Sequence, residues 1–386
     1  MKKLVFLALW GLAAAPVWAL QNHPTSLVLE RIAGTPVTYP LRFVFLGDSR
    51  PGSGPNADSI FRLARERINA LNPLFVVHGG DFVLHGYRSE YYHFVSLVDS
   101  FATNVLTVRG NHELYADEGP WMYDSIFGPT DYVWDYGRYR FIVLADCQQN
   151  PGTGAYGHYI DYLISWDQLA WLDSLLQDAD SRGLISFVFA HVPPYQPGHD
   201  TTYCLGYENY YPQPNYEASH TEEFTWLLSQ RGVPMAFFGH HHFYDRHEYN
   251  GVWYIISGGA GAPIYPDPLS PPPYGCACYH FLLFELDSLG HLQAYFYRIG
   301  EPEPDPYFGF SLDLVAVQEA SGTPPERVAT RLVRAGRPLP LPGPVQVYGA
   351  TGRLWGGLRP GEPVRLPAGV YWLRGATSIQ RILVLP

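Results

Sequence analysis

Eight polar residues of this chain share one setting, each standing at or just beyond the end of an apolar run that reads as a buried strand. Asp48 closes LRFVFLGD (41–48) and Asp81 closes LFVVHGGD (74–81). Asn111, His112 and Glu113 follow NVLTVRG (104–110), His191 closes LISFVFAH (184–191), and His240 and His242 end PMAFFGHHH (234–242). Asp48, Asp81, the Asn111 amide and the imidazoles of His191, His240 and His242 form a mixed oxygen and nitrogen donor set. Such a set suits one or two borderline-hard transition metal ions such as Mn, Fe or Zn. Asp81, with two oxygens, can bridge two ions, and two ions roughly 3.5–4 Å apart clamp the attacking and leaving oxygens of a phosphoryl displacement. Taken singly, an Asp or Asn after a strand is a turn former or helix cap. The ordered repetition is what points to a shared site. His241 is expected to face away, because neighbours on an extended stretch alternate.

The elements that must position these residues alternate in kind. Residues 56–70 place Ile60, Leu63, Ala64, Arg67 and Ile68 at helical spacing, residues 88–100 suggest a second helix, and SWDQ (165–168) and SHTE (219–222) have capping-box spacing at two helix starts. Further strands are predicted over 140–146, 252–259, 279–287 and 291–299. Strand–helix alternation followed by a run of strands argues for an α/β fold with mixed sheets covered by helices. In such folds ligands bind beyond the carboxyl ends of the strands.

The 386 residues are 47% hydrophobic, enough for a sizeable core, and carry a formal charge of −11. That balance argues against nucleic acid or an anionic membrane as a partner, since both reward basic patches. Lys2 and Lys3 precede an apolar stretch to Ala15, and VWA (17–19) has small residues where cleavage is expected, so residues 1–19 read as a secretory signal peptide. Without those two lysines 36 acidic residues face 23 basic ones, a net −13. No later segment has transmembrane length. Cys147, Cys204, Cys276 and Cys278 in an exported protein suggest disulfides, with three pairings open, whereas CAC (276–278) lacks the spacer of a zinc knuckle. EPEPDP (301–306) opens a Pro-rich linker over 301–325, and residues 326–386 read as a small all-β module of short strands between Gly and Pro turns.

The series GD (47–48), GGD (79–81), GNHE (110–113), FAHVPPY (189–195) and GHHH (239–242) resembles the calcineurin-like metallophosphoesterase family over about residues 40–300. GHHHFYDR (239–246) and YIISGGAGAPIY (254–265) look most like the purple acid phosphatase branch and its secreted bacterial relatives. The resemblance implies an αββα sandwich over residues 20–300. It implies a first metal on Asp48, Asp81 and His242, and a second on Asp81, Asn111, His191 and His240. It further implies that His112 meets the substrate phosphate and protonates the leaving oxygen, with Glu113 or a nearby acid orienting it, while a metal-held hydroxide attacks phosphorus in line. VQVYGATGRL (345–354), LPAGVYWLRG (366–375) and QRILVLP (380–386) resemble a type IX secretion sorting domain, which would engage secretion machinery.

The chain departs from the family at the first metal. Arg50 stands where the common pattern has a histidine ligand, and Leu84 stands where purple acid phosphatases supply a tyrosine. Arg50 is expected to act as a phosphate clamp, since guanidinium has no lone pair and presents a fork that matches phosphate oxygens. His85 lies close enough to Asp81 to be considered for the missing ligand. The tyrosine-rich segment 195–220 is long enough for a binding loop, and Tyr203, Tyr207, Tyr210 and Tyr211 are its candidates for lining a substrate cleft. The sequence therefore predicts a secreted or surface metallophosphatase acting on small-molecule or protein phosphoesters, monoesters before diesters. The competing reading is a catalytically weakened surface protein that keeps the fold as a binding module.

Overall fold

Alternate residues of Leu41–Leu46 face opposite ways, and this alternation joins two layers of the molecule. Phe43 and Phe45 enter one buried cluster, while Val44 and Leu46 enter another. A strand buried on both faces reads as a continuous apolar run, as this one does. The architecture is that of a computed structural model. It describes residues 23–386 apart from Pro55, 155–156, 208–218, 267, 269, 315–330, 335–344, 350–353, 364, 367–368, 375–378 and Pro386. The segment read as a signal peptide, and Tyr210 and Tyr211, lie outside the described residues.

The chain runs through α1 (Thr25–Ala33), β1 (Leu41–Leu46), α2 (Ala57–Leu71), β2 (Phe75–His78), α3 (Arg88–Val98), β3 (Asn104–Thr107) and α4 (Gly119–Ile126). It continues through β4 (Tyr132–Tyr136), β5 (Tyr139–Val143), the hairpin strands β6 (Cys147–Gly154) and β7 (Gly157–Tyr162), α5 (Trp166–Arg182), β8 (Ile185–Phe189), α6 (Thr221–Gln230) and β9 (Met235–Phe238). Then come β10 (Tyr244–Tyr249), β11 (Val252–Ser257), β12 (Gly275–Cys276), β13 (His280–Leu286), β14 (His291–Arg298) and β15 (Phe310–Asp313). One mixed sheet has the order β15-β14-β13-β1-β2-β3, the other β12-β10-β11-β9-β8-β5-β4.

Three clusters define the layers. Phe43, Phe45, Phe75 and Phe284 of the first sheet meet Phe141, Phe187, Phe189 and Phe237 of the second. The outer face of the first sheet packs Val44, Leu46 and Val76 on Phe61 and Ala64 of α2 and Phe94 of α3. The second sheet packs Ile142 and Val188 on Leu169, Leu172 and Leu176 of α5 and Phe224 and Leu228 of α6. This is the αββα sandwich that the sequence predicts. Strands β1, β2 and β3 are parallel, as are β5, β8, β9 and β11, so each set brings its carboxyl ends to one edge.

Some local expectations change. The capping box at Ser165 forms: its N–H donates to Gln168 Oε1 at 3.0 Å and Gln168 N–H donates to Ser165 Oγ at 3.2 Å. The one at Ser219 does not, because Ser219 Oγ accepts Ile164 N–H instead and α6 starts after His220. Residues 301–314 of the expected linker belong to the sandwich. β15 pairs with β14, Phe308 and Leu314 are buried, and Arg298 Nε donates to Asp305 at 2.9 Å. The acidic, Pro-rich text hides this, since only two large apolar residues in it reach the core. Cys276 and Cys278 form a disulfide, while Cys147 and Cys204 are buried free thiols.

The C-terminal segment forms its own sheet of β16 (Arg331–Arg334), β17 (Val345–Gly349), β18 (Leu354–Leu358), β19 (Gly369–Arg374) and β20 (Ile379–Leu385), in the order β16-β20-β19-β17-β18. Among the described residues no helix is long and apolar enough to cross a membrane.

Candidate metal centre

The strand ends deliver their polar residues on unusual backbone. Asp48, Arg50, Asp81 and His240 all have positive φ, at 59°, 33°, 56° and 67°. For residues with a Cβ this left-handed region costs of order 1–3 kcal/mol each and is kept where surroundings or function demand it. The turns let carboxylates and imidazoles from both sheets close on one point. Close approach also needs missing side chains. A Cβ at Gly110 would collide with Asp81 Oδ1, and one at Gly239 would stand 2.6 Å from Asp48 Oδ2.

Two groups of potential ligands result. Asp81, His191 and His240 present ligand atoms within 4.8 Å of one another, and so do Asp48, Asp81 and His242. Asn111 Oδ1 completes the first group, 3.1 Å from His191 Nε2 and 3.0 Å from His240 Nδ1. His191 Nδ1 faces the Gly79 carbonyl at 2.7 Å, which leaves the Nε2 lone pair directed at Asp81 Oδ1, 3.2 Å away. The Asn111 amide is oriented by a residue that sequence reasoning missed: its Nδ2 donates to Tyr115 Oη at 2.8 Å, so Oδ1 turns inward. The signal was present in RGNHELY, because Asn111 and Tyr115 are four residues apart on a helical turn.

The electrostatics of this group ask for a cation. Burial alone would lower His191, but the Asp81, Asp48 and Asp146 carboxylates raise it to about 10. Burial likewise works against an ionised Asp81, yet His112, His191 and Arg50 hold it well below the usual carboxylate range. In the other group, Asp48 Oδ2 accepts His240 N–H at 2.9 Å, while buried Oδ1 has no hydrogen-bond partner. An orphaned buried carboxylate oxygen, an imidazole lone pair and an inward amide oxygen are all acceptors. The donor set therefore fits a transition metal ion.

The remaining predicted residues take clear positions. His112 Nδ1 donates to the Leu84 carbonyl at 2.5 Å, and Nε2 lies 2.7 Å from Arg50 Nη1. Burial, with Arg50 alongside, lowers this imidazole to about 3 against the pull of Asp81. Glu113 does not orient His112. Its carboxylate accepts the backbone N–H groups of Gly110, Phe82, Asp81 and Val83 at 2.6, 2.8, 3.0 and 3.2 Å, so it fixes the turn that carries Asp81. Arg50 is 9% exposed, and its Nη2 bonds the His242 imidazole. His242 Nδ1 donates to the Pro263 carbonyl at 2.7 Å, and Tyr265 stacks on its ring with centroids 4.3 Å apart. Tyr203 is exposed and packs on Tyr207, with no hydrogen bond or ring contact to the ligand groups among the described contacts. His85 pairs with Glu90 at 3.2 Å and joins neither ligand group. His241 turns away to Cys204 and Phe243, as alternation predicts.

The family model for calcineurin-like phosphoesterases matches residues 41–244, the span that carries all of these ligands. The chain belongs to that family. Its fold is similar to that of a purple acid phosphatase from yellow lupin (Lupinus luteus) seeds, with 17% identity and a TM-score of 0.55. That match covers 73% of this chain and 56% of the lupin chain, so this protein spans little more than half the length of that relative. It is similar to a dimetal phosphatase from Danio rerio, with 16% identity, 72% and 100% coverage and a TM-score of 0.51. It is also similar to the anchor in the inner membrane complex of Plasmodium, with 15% identity, 72% and 89% coverage and a TM-score of 0.51. A search of curated protein sequences finds no match. Calcineurin-like phosphoesterases use a dinuclear metal centre, and the two ligand groups offer the residues that could hold one.

Proposed function

We propose that this protein is an exported metallophosphatase that hydrolyses phosphomonoesters in preference to diesters. The observation that carries the reading is the convergence of Asp81, Asn111, His191 and His240 on one point, with His112 and Arg50 beside it. A metal ion held there supplies Lewis acidity toward a phosphate oxygen and activates water. The protein's own groups do the rest. Arg50 offers a planar donor fork to non-bridging phosphate oxygens. His112 keeps its Nδ1 proton on the Leu84 carbonyl, so Nε2 is the atom that exchanges protons with the substrate. A phosphate dianion beside Nε2 would favour the imidazolium, which can then protonate the leaving oxygen.

Export rests on the apolar N-terminal segment behind Lys2 and Lys3, and delivery through a sorting module rests on the text of residues 345–386. Deleting residues 326–386 should leave hydrolysis intact and block surface delivery. Normal delivery of the truncated protein would overturn the sorting role.

One observation favours a binding module instead. The Arg50 guanidinium is packed between His112 and His242, and His242 is a member of the group formed with Asp48 and Asp81. The Plasmodium relative, described as an anchor, shares the fold. The deciding experiment is a screen of the metal-loaded protein against paired phosphomonoesters and phosphodiesters. Faster turnover of monoesters is expected, and tight metal binding with no turnover of either class would establish the binding reading.

A further inference from the structure

The two ligand groups differ in one respect that hydrogen-bond logic makes plain. At the group formed by Asp81, Asn111, His191 and His240, every polar contact between side chains joins atoms that can act as acceptors. The Gly79 carbonyl takes the Nδ1 proton of His191, and Tyr115 takes an amide proton of Asn111. No arginine or lysine bonds this group among the described contacts, so only a proton or a cation reconciles its lone pairs. At the other group a donor is already present. Backbone carbonyls of Leu84 and Pro263 take the Nδ1 protons of His112 and His242. The His112 ring is thereby left with its Nε2 lone pair, which meets Arg50 Nη1, while Arg50 Nη2 lies against both ring nitrogens of His242. The imidazole that His242 would offer an ion is thus already in contact with a cation.

The guanidinium is held there from both sides. The Arg50 backbone N–H donates to the Asp81 carbonyl at 3.1 Å, and its φ of 33° turns the side chain inward. The preceding side chain is fixed as well, with Ser49 Oγ 2.9 Å from His78 Nε2 in a buried contact. Arginine keeps its charge at any ordinary pH. Leu84 contributes a carbonyl to His112 and no ligand atom.

Resting on the reading of the protein as a metal-dependent phosphoesterase, we infer that Arg50 is a built-in substitute for the first ion. The protein then works with a single exchangeable metal held by Asp81, Asn111, His191 and His240. A guanidinium carries one positive charge, cannot be lost by chelation, and cannot activate water. One arm lies beside His112, and the fork suits the oxygens of a phosphomonoester dianion.

The test is metal stoichiometry together with spin coupling on the full chain, stripped by chelator and then equilibrated with excess Mn(II). Wild type should retain one Mn(II) per chain, with the electron paramagnetic resonance spectrum of an isolated ion. Arg50→His should retain two, with an exchange-coupled spectrum. Two coupled ions in the wild type would overturn the inference and leave the metallophosphatase reading standing. A wild type that retains no Mn(II), Fe or Zn would overturn both. Because the wild-type result decides alone, a poorly folding variant does not blunt the test.

Discussion

The Glu113 carboxylate accepts the backbone N–H of Asp81 at 3.0 Å, so the residue after the proposed acid supports a metal ligand rather than its sequence neighbour. With Gly110, Phe82 and Val83 also donating to it, Glu113 satisfies four buried N–H groups at once. Removing one partner of such a network leaves the others unsatisfied. Glu113→Ala should therefore cost about 2–4 kcal/mol in denaturant unfolding and weaken metal binding. If instead metal affinity and stability hold while only turnover falls, Glu113 acts on His112 after all.

His112 touches Arg50 and the Leu84 carbonyl and belongs to neither ligand group. His112→Ala should lower turnover by roughly 10²–10⁴-fold, the usual span for a lost general acid. Metal content, measured by elemental analysis, should stay at the wild-type value. A variant that loses its metal would show that His112 is a ligand.

Much of this centre was legible in the sequence, for a definite physical reason. Apolar runs such as LRFVFL and LISFVF announce strands buried on both faces, and the fold then places whatever follows them at one edge. Asp48, Asp81, Asn111, His191, His240 and His242 could be named because each follows such a run. What stayed hidden depends on local detours. The role of Glu113 is set by a turn that carries its carboxylate past His112 to another loop's backbone. Helix α1 has only Thr25, Val28 and Ile32 buried, too sparse a pattern to announce itself beside the tail. Residues 301–314 read as linker because two proline-flanked glutamates outweigh the apolar residues that dock.

Tyr115 offers a test of a residue found only in three dimensions. Its hydroxyl oxygen accepts the Asn111 Nδ2 proton and thereby points Oδ1 at the ligand group. Partners that orient a ligand in this way typically contribute 10–100-fold in metal affinity. Tyr115→Phe should lose roughly that factor in a calorimetric metal titration, with the fold intact by circular dichroism. Unchanged affinity would mean that Asn111 keeps its orientation without help.

His280 governs an acid limit away from the metal. It is buried between Ser257 Oγ at 3.0 Å and the Cys278 carbonyl at 2.9 Å, and burial chiefly lowers it from 6.5 to about 4. Between those values the unfolded chain takes up a proton that the folded chain refuses, so stability falls as pH drops through this window. The loss is at most about 1.4 kcal/mol per pH unit, or roughly 3 kcal/mol in all. His280→Gln should be less stable at neutral pH yet show a shallower acid slope in urea unfolding of metal-free protein. An identical slope would remove His280 from the account.

The most direct test of the central claim is phosphate release from an aryl phosphomonoester by chelator-stripped protein, followed during stepwise return of Mn, Fe or Zn. Activity should be absent from the stripped protein and rise to a plateau at one ion per chain. Hydrolysis that survives complete metal removal would contradict the account.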